Sequence, residues 1–492
     1  MIWLAIACLT LLPLMAAAGI LGLRLRRSAG IVALAVTVVQ VAAVAFLAIR
    51  VHDRGPQYAF DDWVYVDSLS MIILALTALV GVCAVLNSLT YVDHEVAEGK
   101  LRETDRTRYF ALLLAFMATM LAVPVLNNIG IMWVAIEATT VVSVLMVSIY
   151  RTGSSLEAAW KYLILGSVGI ALALFGTMMT YYASAAVAGN DGNRLLWTHL
   201  STMSDQLDPD VMRLAFIFVL VGYGTKTGLA PMHTWLPDAH SQAPSPISGL
   251  LSGVLLNCAL YAILRFHVLA AASAGSGFTE TLLIVFGMFS IAIAIPFLLV
   301  QHDIKRMLAY HSVEHMGIIT LAAGIGGPIA LYAAMLHLVA HSLTKSALFF
   351  SSAPIVQVFH TRSMHRMRGL LRATPVAGFG LLLGVFALAG FPPFAMFSSE
   401  YGLVSGAFQS NGRGAIGVVG VLLATLAAAT LLYHTIHIAY REPRTGTRTT
   451  RLSLPTAASI VAPLLLLLWI SVAPPAMFTD TLNHAVDVLR AQ

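Results

Sequence analysis

Charge is scarce in this chain: 10% of its 492 residues are Asp, Glu, Lys or Arg, against about 25% in ordinary soluble domains. A soluble protein could not conceal the 59% of hydrophobic residues without several large cores and sticky exposed patches. A bilayer acting as solvent removes the difficulty. Cysteine is scarce too. Cys8, Cys83 and Cys258 sit in apolar runs with no metal-ligand spacing, as small buried hydrophobes do. A basic face with interleaved aromatics is also missing. The net charge of +5 comes from short arginine clusters between apolar runs, which excludes nucleic acid as the partner. No basic stretch precedes the first apolar run, and Arg24, Arg26 and Arg27 follow it. That is the pattern of a retained first helix, not a cleaved signal. Haem, iron–sulfur and nucleotide motifs are lacking, so no cofactor and no metal is expected, and redox chemistry would belong to partner chains.

What the chain does have is apolar length. Runs of about 20 apolar residues read as spanning helices. About fourteen are predicted, near 2–22, 30–50, 68–91, 109–126, 129–150, 160–187, 211–236, 246–270, 278–300, 304–324, 327–352, 373–408, 413–438 and 455–475. The fold class is therefore an all-α polytopic membrane protein. The longer connections, 51–67, 92–108, 188–210, 359–372 and 439–452, are too small for a soluble domain. The polar stretch 92–108 is expected along the membrane surface.

With fourteen helices, alternate loops share a side. One side collects nineteen basic residues, from Arg24 through Lys100, Arg151, Lys305 and Arg362 to Arg441, Arg444, Arg448 and Arg451; the other has seven, including Arg265 and Arg413. Lys/Arg-rich loops stay in the cytoplasm. Both termini are thus expected outside a bacterial plasma membrane. Of the 28 Lys and Arg residues, the two left over are Lys226 and Lys345, and both fall inside apolar runs.

Two predicted helices look broken. In the seventh, Gly222-Tyr-Gly-Thr-Lys226 leads into Gly228-Leu-Ala-Pro231; in the twelfth, Gly390-Phe-Pro-Pro393 precedes Phe397-Ser-Ser-Glu400. Proline removes a backbone donor and clashes with the preceding turn. Such backbone survives at membrane depth only where protein or a wet cavity satisfies it. Paired breaks point to an inverted repeat with function at its centre. The expected division is 1–108, a three-helix segment with its cytoplasmic loop; 109–270 and 278–438, two five-helix units; and 439–492, a loop and the last helix.

An ionisable group inside a bilayer is costly and marks function by default. Glu137 lies mid-helix, Lys226 just before a break, and Glu400 just after one. His337, His341 and Lys345 recur at i, i+4 and i+8 on one helix face. Burial disfavours the charged form of lysine and carboxylate alike, so each can exchange protons near neutral pH. Imidazole accepts on one nitrogen and donates from the other. Water would bridge groups on adjacent helices. Plainer readings stand beside this one. Glu137 and Lys226 could be a static salt bridge, the histidine pair could bond only to carbonyls or ligate haem with His311 or His315, and Glu400 could be wet and structural. Lys305 could anchor a helix end. His311, Glu314 and His315 lie deeper and could join the relay. His233, Asp238 and His240 could line a cytoplasmic inlet or satisfy loop backbone.

These residues resemble a known family. The run from Gly224 through Lys226, Pro231, His233 and Asp238 to His240 is similar to the signature of antiporter-like subunits of complex I, Mrp antiporters and membrane-bound hydrogenases. Asp303-Ile-Lys305-Arg-Met-Leu-Ala-Tyr-His311-Ser and His337-Leu-Val-Ala-His341-Ser-Leu-Thr-Lys345 match the same family. Glu137-Ala-Thr-Thr, Glu157-Ala-Ala-Trp-Lys161-Tyr and Ser312-Val-Glu314-His315-Met-Gly look most like its hydrogenase-4, formate hydrogenlyase component F type. The resemblance implies fourteen helices in inverted repeats, Glu137 and Lys226 as an ion pair, the His337/His341/Lys345 run as a bridge and Glu400 as the terminal group. It also implies other membrane subunits as partners. One position departs: where relatives place a lysine or histidine, the aligned residue is Ser252, with Asn257 nearest, and neither holds a proton. The expectation is a proton-translocating subunit of a redox-driven complex. The alternatives are an Mrp-type cation/proton antiporter subunit and a non-conducting scaffold.

Overall fold

The computed structural model describes residues 1–188, 193–410, 412–442 and 449–490; Arg444 and Arg448 lie outside them. The chain is built of helices in the order α1 (Ile2–Gly22), α2 (Ala29–Arg54), α3 (Ser68–Ala97), α4 (Glu103–Ala122), α5 (Ile129–Val147), α6 (Gly153–Ala188), α7 (Trp197–Thr202), α8 (Pro209–Thr227), α9 (Trp235–Gln242), α10 (Ser245–Leu250), α11 (Leu256–Ala274), α12 (Ser276–Leu299), α13 (Ile304–Ile325), α14 (Gly327–Phe359), α15 (Leu370–Ala373), α16 (Pro375–Leu388), α17 (Ala395–Gln409), α18 (Gly414–Tyr440), α19 (Leu454–Val472) and α20 (Ala476–Arg490). Side chains of Asp67, Asn128, Asp208, Asp303 and Ser453 accept from free backbone N–H groups at the starts of α3, α5, α8, α13 and α19, the usual work of an N-cap.

Among the described residues, twelve helical segments are long and apolar enough to cross a membrane. The protein is a multi-pass membrane protein. Two of the expected runs are not among the twelve. α13 has the length but carries Lys305, Arg306 and Glu314. The run expected at 373–408 is divided into the shorter apolar α16 and, beyond residues 389–394, α17.

Three regions differ from the sequence reading. The stretch 92–108 is not a separate surface segment. α3 continues to Ala97 and α4 begins at Glu103, and Asp93 pairs with Arg106 across the turn. Residues within 51–67 form an antiparallel hairpin of β1 (Gln57–Ala59) and β2 (Val64–Val66). After α19 comes a further helix, α20, amphipathic and packed on α3 and α14. Its Leu482, Ala485, Val486 and Leu489 are buried, the i, i+3, i+4, i+7 stripe of a half-covered helix.

The middle of the bundle is α10–α11, buried from Ser245 through Ala271, with α8, α14 and α3 against it. α1 and α18 lie outside and turn Trp3, Leu4, Leu422 and Tyr433 outward. Small residues let helices approach closely. A Cβ on Gly222 of α8 would strike the backbone of Gly169 and Ala173 on α6. Both helix breaks are satisfied by protein, as membrane depth requires. At the first, α8 ends on Gly228 at φ +82°. Leu229 N–H donates to Gly224 O (2.8 Å), Ala230 N–H to Ser290 Oγ (2.9 Å) and the Trp235 indole N–H to Thr225 O (2.7 Å). At the second, Ala395 N–H donates to Ser471 Oγ of α19 at 2.8 Å.

Candidate functional site

The buried ionisable groups fall into two clusters. The first surrounds Lys226, in the last turn of α8 and wholly buried. Its Nζ donates to Thr140 Oγ1 (2.7 Å) and to the Tyr162 hydroxyl (3.0 Å), and it lies 4.9 Å from the Tyr162 ring centre. Thr140 Oγ1 donates in turn to Glu137 Oε2 at 3.1 Å, and Ser167 Oγ reaches Glu137 Oε1 at 3.5 Å. Glu137 and Lys226 therefore do not form the direct ion pair that the resemblance implies; Thr140 stands between them. Tyr162 shares a further hydrogen bond with Ser143 (2.8 Å) and stacks on Trp235 with centroids 4.3 Å apart. The aromatic pair fixes the first break beside the lysine.

Between the clusters runs α10–α11, interrupted by a π-helical turn at Leu251–Leu255. Such turns insert one residue into an α-helix and are frequent at functional sites. The turn contains Ser252, whose Oγ shares a hydrogen bond with Ser312 Oγ of α13 at 2.7 Å. Asn257 Nδ2 donates to Ser342 Oγ of α14 (2.7 Å) and Gly253 O (2.9 Å), while its Oδ1 has no protein partner. Both uncharged residues thus face the second cluster.

That cluster lies on α13, α14 and α17. His311 Nδ1 is 2.7 Å from Glu314 Oε2. His315 Nδ1 is 2.9 Å from His337 Nε2, and His337 Nδ1 is 2.9 Å from Ser399 Oγ. The water expected between groups on adjacent helices is not needed here, because the two imidazoles touch. His341 lies with its ring centre 5.5 Å from that of His315, and neither of its nitrogens has a protein partner. Lys345 Nζ donates to Leu308 O at 2.6 Å. Glu400 follows Ser399 and is half-buried. Its carboxylate lies in the space a side chain at Gly390 would fill. Glycine is suited there twice, since Gly390 also holds φ +69°.

The accessory residues divide. Lys305 is buried, and its Nζ donates to Ala243 O. It lines a cavity of about 450 Å³ with Glu95, Lys100, His360 and Arg362. Asp238 lies apart from the buried line and pairs with Lys161 and Arg306, each at 3.2 Å. His240 is buried with Nδ1 2.8 Å from Leu236 O and Nε2 unpartnered. His233 is nearly buried, with Nδ1 unpartnered. His311, Glu314 and His315 offer ligand atoms within 4.8 Å of one another and are the residues that could hold a metal ion.

Thr140, Tyr162, Ser167 and Ser399 were not singled out by sequence. A hydroxyl has no cost at membrane depth comparable to a charge, so nothing flags it. The signal for Thr140 was its place one turn after Glu137. Arg265, counted above among loop residues, is buried on α11. It donates to Asp67 Oδ1 (2.6 Å) and Ser70 Oγ (3.2 Å), with its guanidinium 4.2 Å from the Trp197 ring centre. None of these bonds reaches the lysines or histidines.

Hydroxyl, imidazole, amine and carboxylate groups all both take up and release protons or hydrogen bonds. The two clusters contain such groups in series. The chain's relatives fit this chemistry. Residues 126–427 match the family described as NADH:quinone oxidoreductase/Mrp antiporter, transmembrane. A hydrogenase-4 component F homologue of Methylacidiphilum infernorum is 44% identical over 379 residues, 77% of this chain and 79% of that one. The fold matches a chain of the membrane-bound sulfane sulfur reductase, an archaeal respiratory membrane complex, with TM-score 0.87 at 21% identity, covering 99% of this chain and 97% of the other. It matches a chain of the Mrp complex from Dietzia sp. with TM-score 0.84 at 20% identity, covering 99% and 98%. This chain belongs to the NADH:quinone oxidoreductase/Mrp antiporter transmembrane family.

Proposed function

We propose that this chain carries protons across a bacterial plasma membrane as one subunit of a redox-driven complex. The observation that carries the reading is that Lys226 and Lys345 are both wholly buried and that neither bonds to a carboxylate. Charge held in oil by hydroxyls and a carbonyl is poised to be given up, whereas a locked salt bridge is not. In this reading Glu137, Thr140 and Lys226 form one exchange station, and His311, Glu314, His315, His337, His341 and Lys345 form the second, with Glu400 terminal. Ser252 and Asn257 line the step between, and water carries the proton there. The stations belong to the two five-helix units, and both termini face outward. Other membrane subunits are the partners. The 44% identity to a hydrogenase-4 component F homologue supports a hydrogenase-type assembly.

The test uses inverted membrane vesicles holding the native complex. Acidification of the lumen is followed by dye quenching when an electron donor is added. Glu137→Ala and Lys226→Ala are each expected to remove acidification. If both leave acidification and coupled turnover intact, the chain is a scaffold. If imposed pH and sodium gradients alone drive exchange without a donor, the chain works as an antiporter subunit.

A further inference from the structure

Away from the two stations, two cavities meet on the face made by α1, α4, α5 and α6. One, of about 590 Å³, is an apolar cleft between helices, lined by Ala17, Ala111, Ala115 and Leu145 and rimmed by Arg108 and Arg151. The other, of about 420 Å³, is lined by Arg24, Arg26, Thr104, Thr107 and Arg108. They share Leu21 and Arg108, so an apolar slot opens directly into a basic cup.

The charges in this place do not balance. Arg24, Arg26, Arg108 and Arg151 face the two cavities against one carboxylate, Asp105. That carboxylate is already shared among Arg102 (3.1 Å), Arg108 (3.8 Å) and Arg151 (2.9 Å). Arg24 and Arg26 form no ion pair among the described residues. Guanidinium groups match phosphate oxygens in geometry and charge. Basic pockets beside membrane helices take anionic headgroups. The small side chains of Ala17, Ala111 and Ala115 keep the wall of the slot low where α1 meets α4.

We propose that this paired cavity binds one anionic phospholipid, its phosphodiester among Arg24, Arg26 and Arg108 and an acyl chain in the slot beside Ala111 and Ala115. Free phosphate would fill the cup and leave the slot empty. A helix from a partner subunit would fill the slot and leave four guanidiniums facing one acid. Only an amphiphile with a negative head satisfies both.

The experiment uses the full chain with its accompanying subunits, delipidated and then supplied with dioleoyl-phosphatidylglycerol or dioleoyl-phosphatidylcholine. Retained lipid is counted by native mass spectrometry. About one phosphatidylglycerol per chain is expected at this site, held at least about tenfold more tightly than phosphatidylcholine. Arg24→Gln with Arg26→Gln should abolish the preference. Both arginines are exposed, so folding is not at stake. Ala115→Phe, which fills the slot and leaves every arginine, should displace both lipids. Equal retention of the two lipids, or unchanged retention in both variants, overturns the proposal. So does displacement by inorganic phosphate alone. Loss of a co-purifying subunit in these variants, with lipid unchanged, overturns it in favour of a protein interface.

Discussion

Lys226 and Lys345, both wholly buried, are held in different ways. Lys226 donates to two hydroxyls, and a carboxylate stands one hydroxyl further on. Lys345 donates to a backbone carbonyl, while the nearby histidines bond to each other, to a serine and to Glu314. The first cluster links its lysine to a carboxylate through one threonine; the second spreads its protonable groups over three helices. The lesson is that, under the proposed relay, one station would concentrate its control at Thr140 and the other would distribute it. Removing single groups should therefore hurt the two halves unequally.

The largest effect is expected from Lys226→Ala. It deletes the one amine of the first station and two charge-assisted hydrogen bonds, each worth about 1.5–3 kcal/mol. Donor-driven acidification should fall at least about 100-fold, since each 1.36 kcal/mol is about tenfold in rate. His337→Ala cuts the His315–His337–Ser399 series at its middle. Its loss should be smaller, about tenfold, because the unpartnered His341 lies within reach of His315; a loss equal to that of Lys226→Ala would end the contrast between the halves. Thr140→Val keeps shape and removes the bridging hydroxyl, for which about a fivefold loss is expected, with Thr140→Ser restoring the rate. Ser252→Ala should change acidification by less than about twofold if water carries the central step; a tenfold loss would make the Ser252–Ser312 contact a direct conductor. Arg265→Gln should leave the rate per folded molecule alone. It strips the buried Asp67 of its partner, a change of about 3–5 kcal/mol in stability, readable as a lower melting temperature.

Much of this was legible in the chain. The apolar runs announced the membrane, and counting Lys and Arg left Lys226 and Lys345 as the two basic residues that did not belong in loops. Proline and glycine marked both breaks. His337 and His341 shared a face by spacing alone. What stayed hidden depended on contacts between helices. Thr140 and Tyr162 meet Lys226 only because α5, α6 and α8 pack together, and a threonine in an apolar run carries no charge to draw notice. Arg265 was placed in a loop because a basic residue near the end of an apolar run reads as its boundary; its partner Asp67 is distant in sequence. α20 was missed although its stripe from Leu482 to Leu489 was readable, because a search for long apolar runs passes over an amphipathic helix. Ser252 stood out only as a departure from relatives, and its contact with Ser312 needed coordinates.

The π turn at Leu251–Leu255 gives α10–α11 a spare residue. Deleting one position from it would rewind the segment into plain α-helix. The wider turn takes up its extra residue locally, so the helix on either side keeps its facing; the same residue added to an unbulged helix would swivel one side by about 100°, the angular step of one helical residue. Asn257 would therefore still point at Ser342 after the deletion, and what would go is the bulge itself, with the place it gives Ser252 against Ser312. The middle of this protein thus carries one residue more than a plain helix needs, and that residue is spent where α10–α11 meets the histidine-bearing helices.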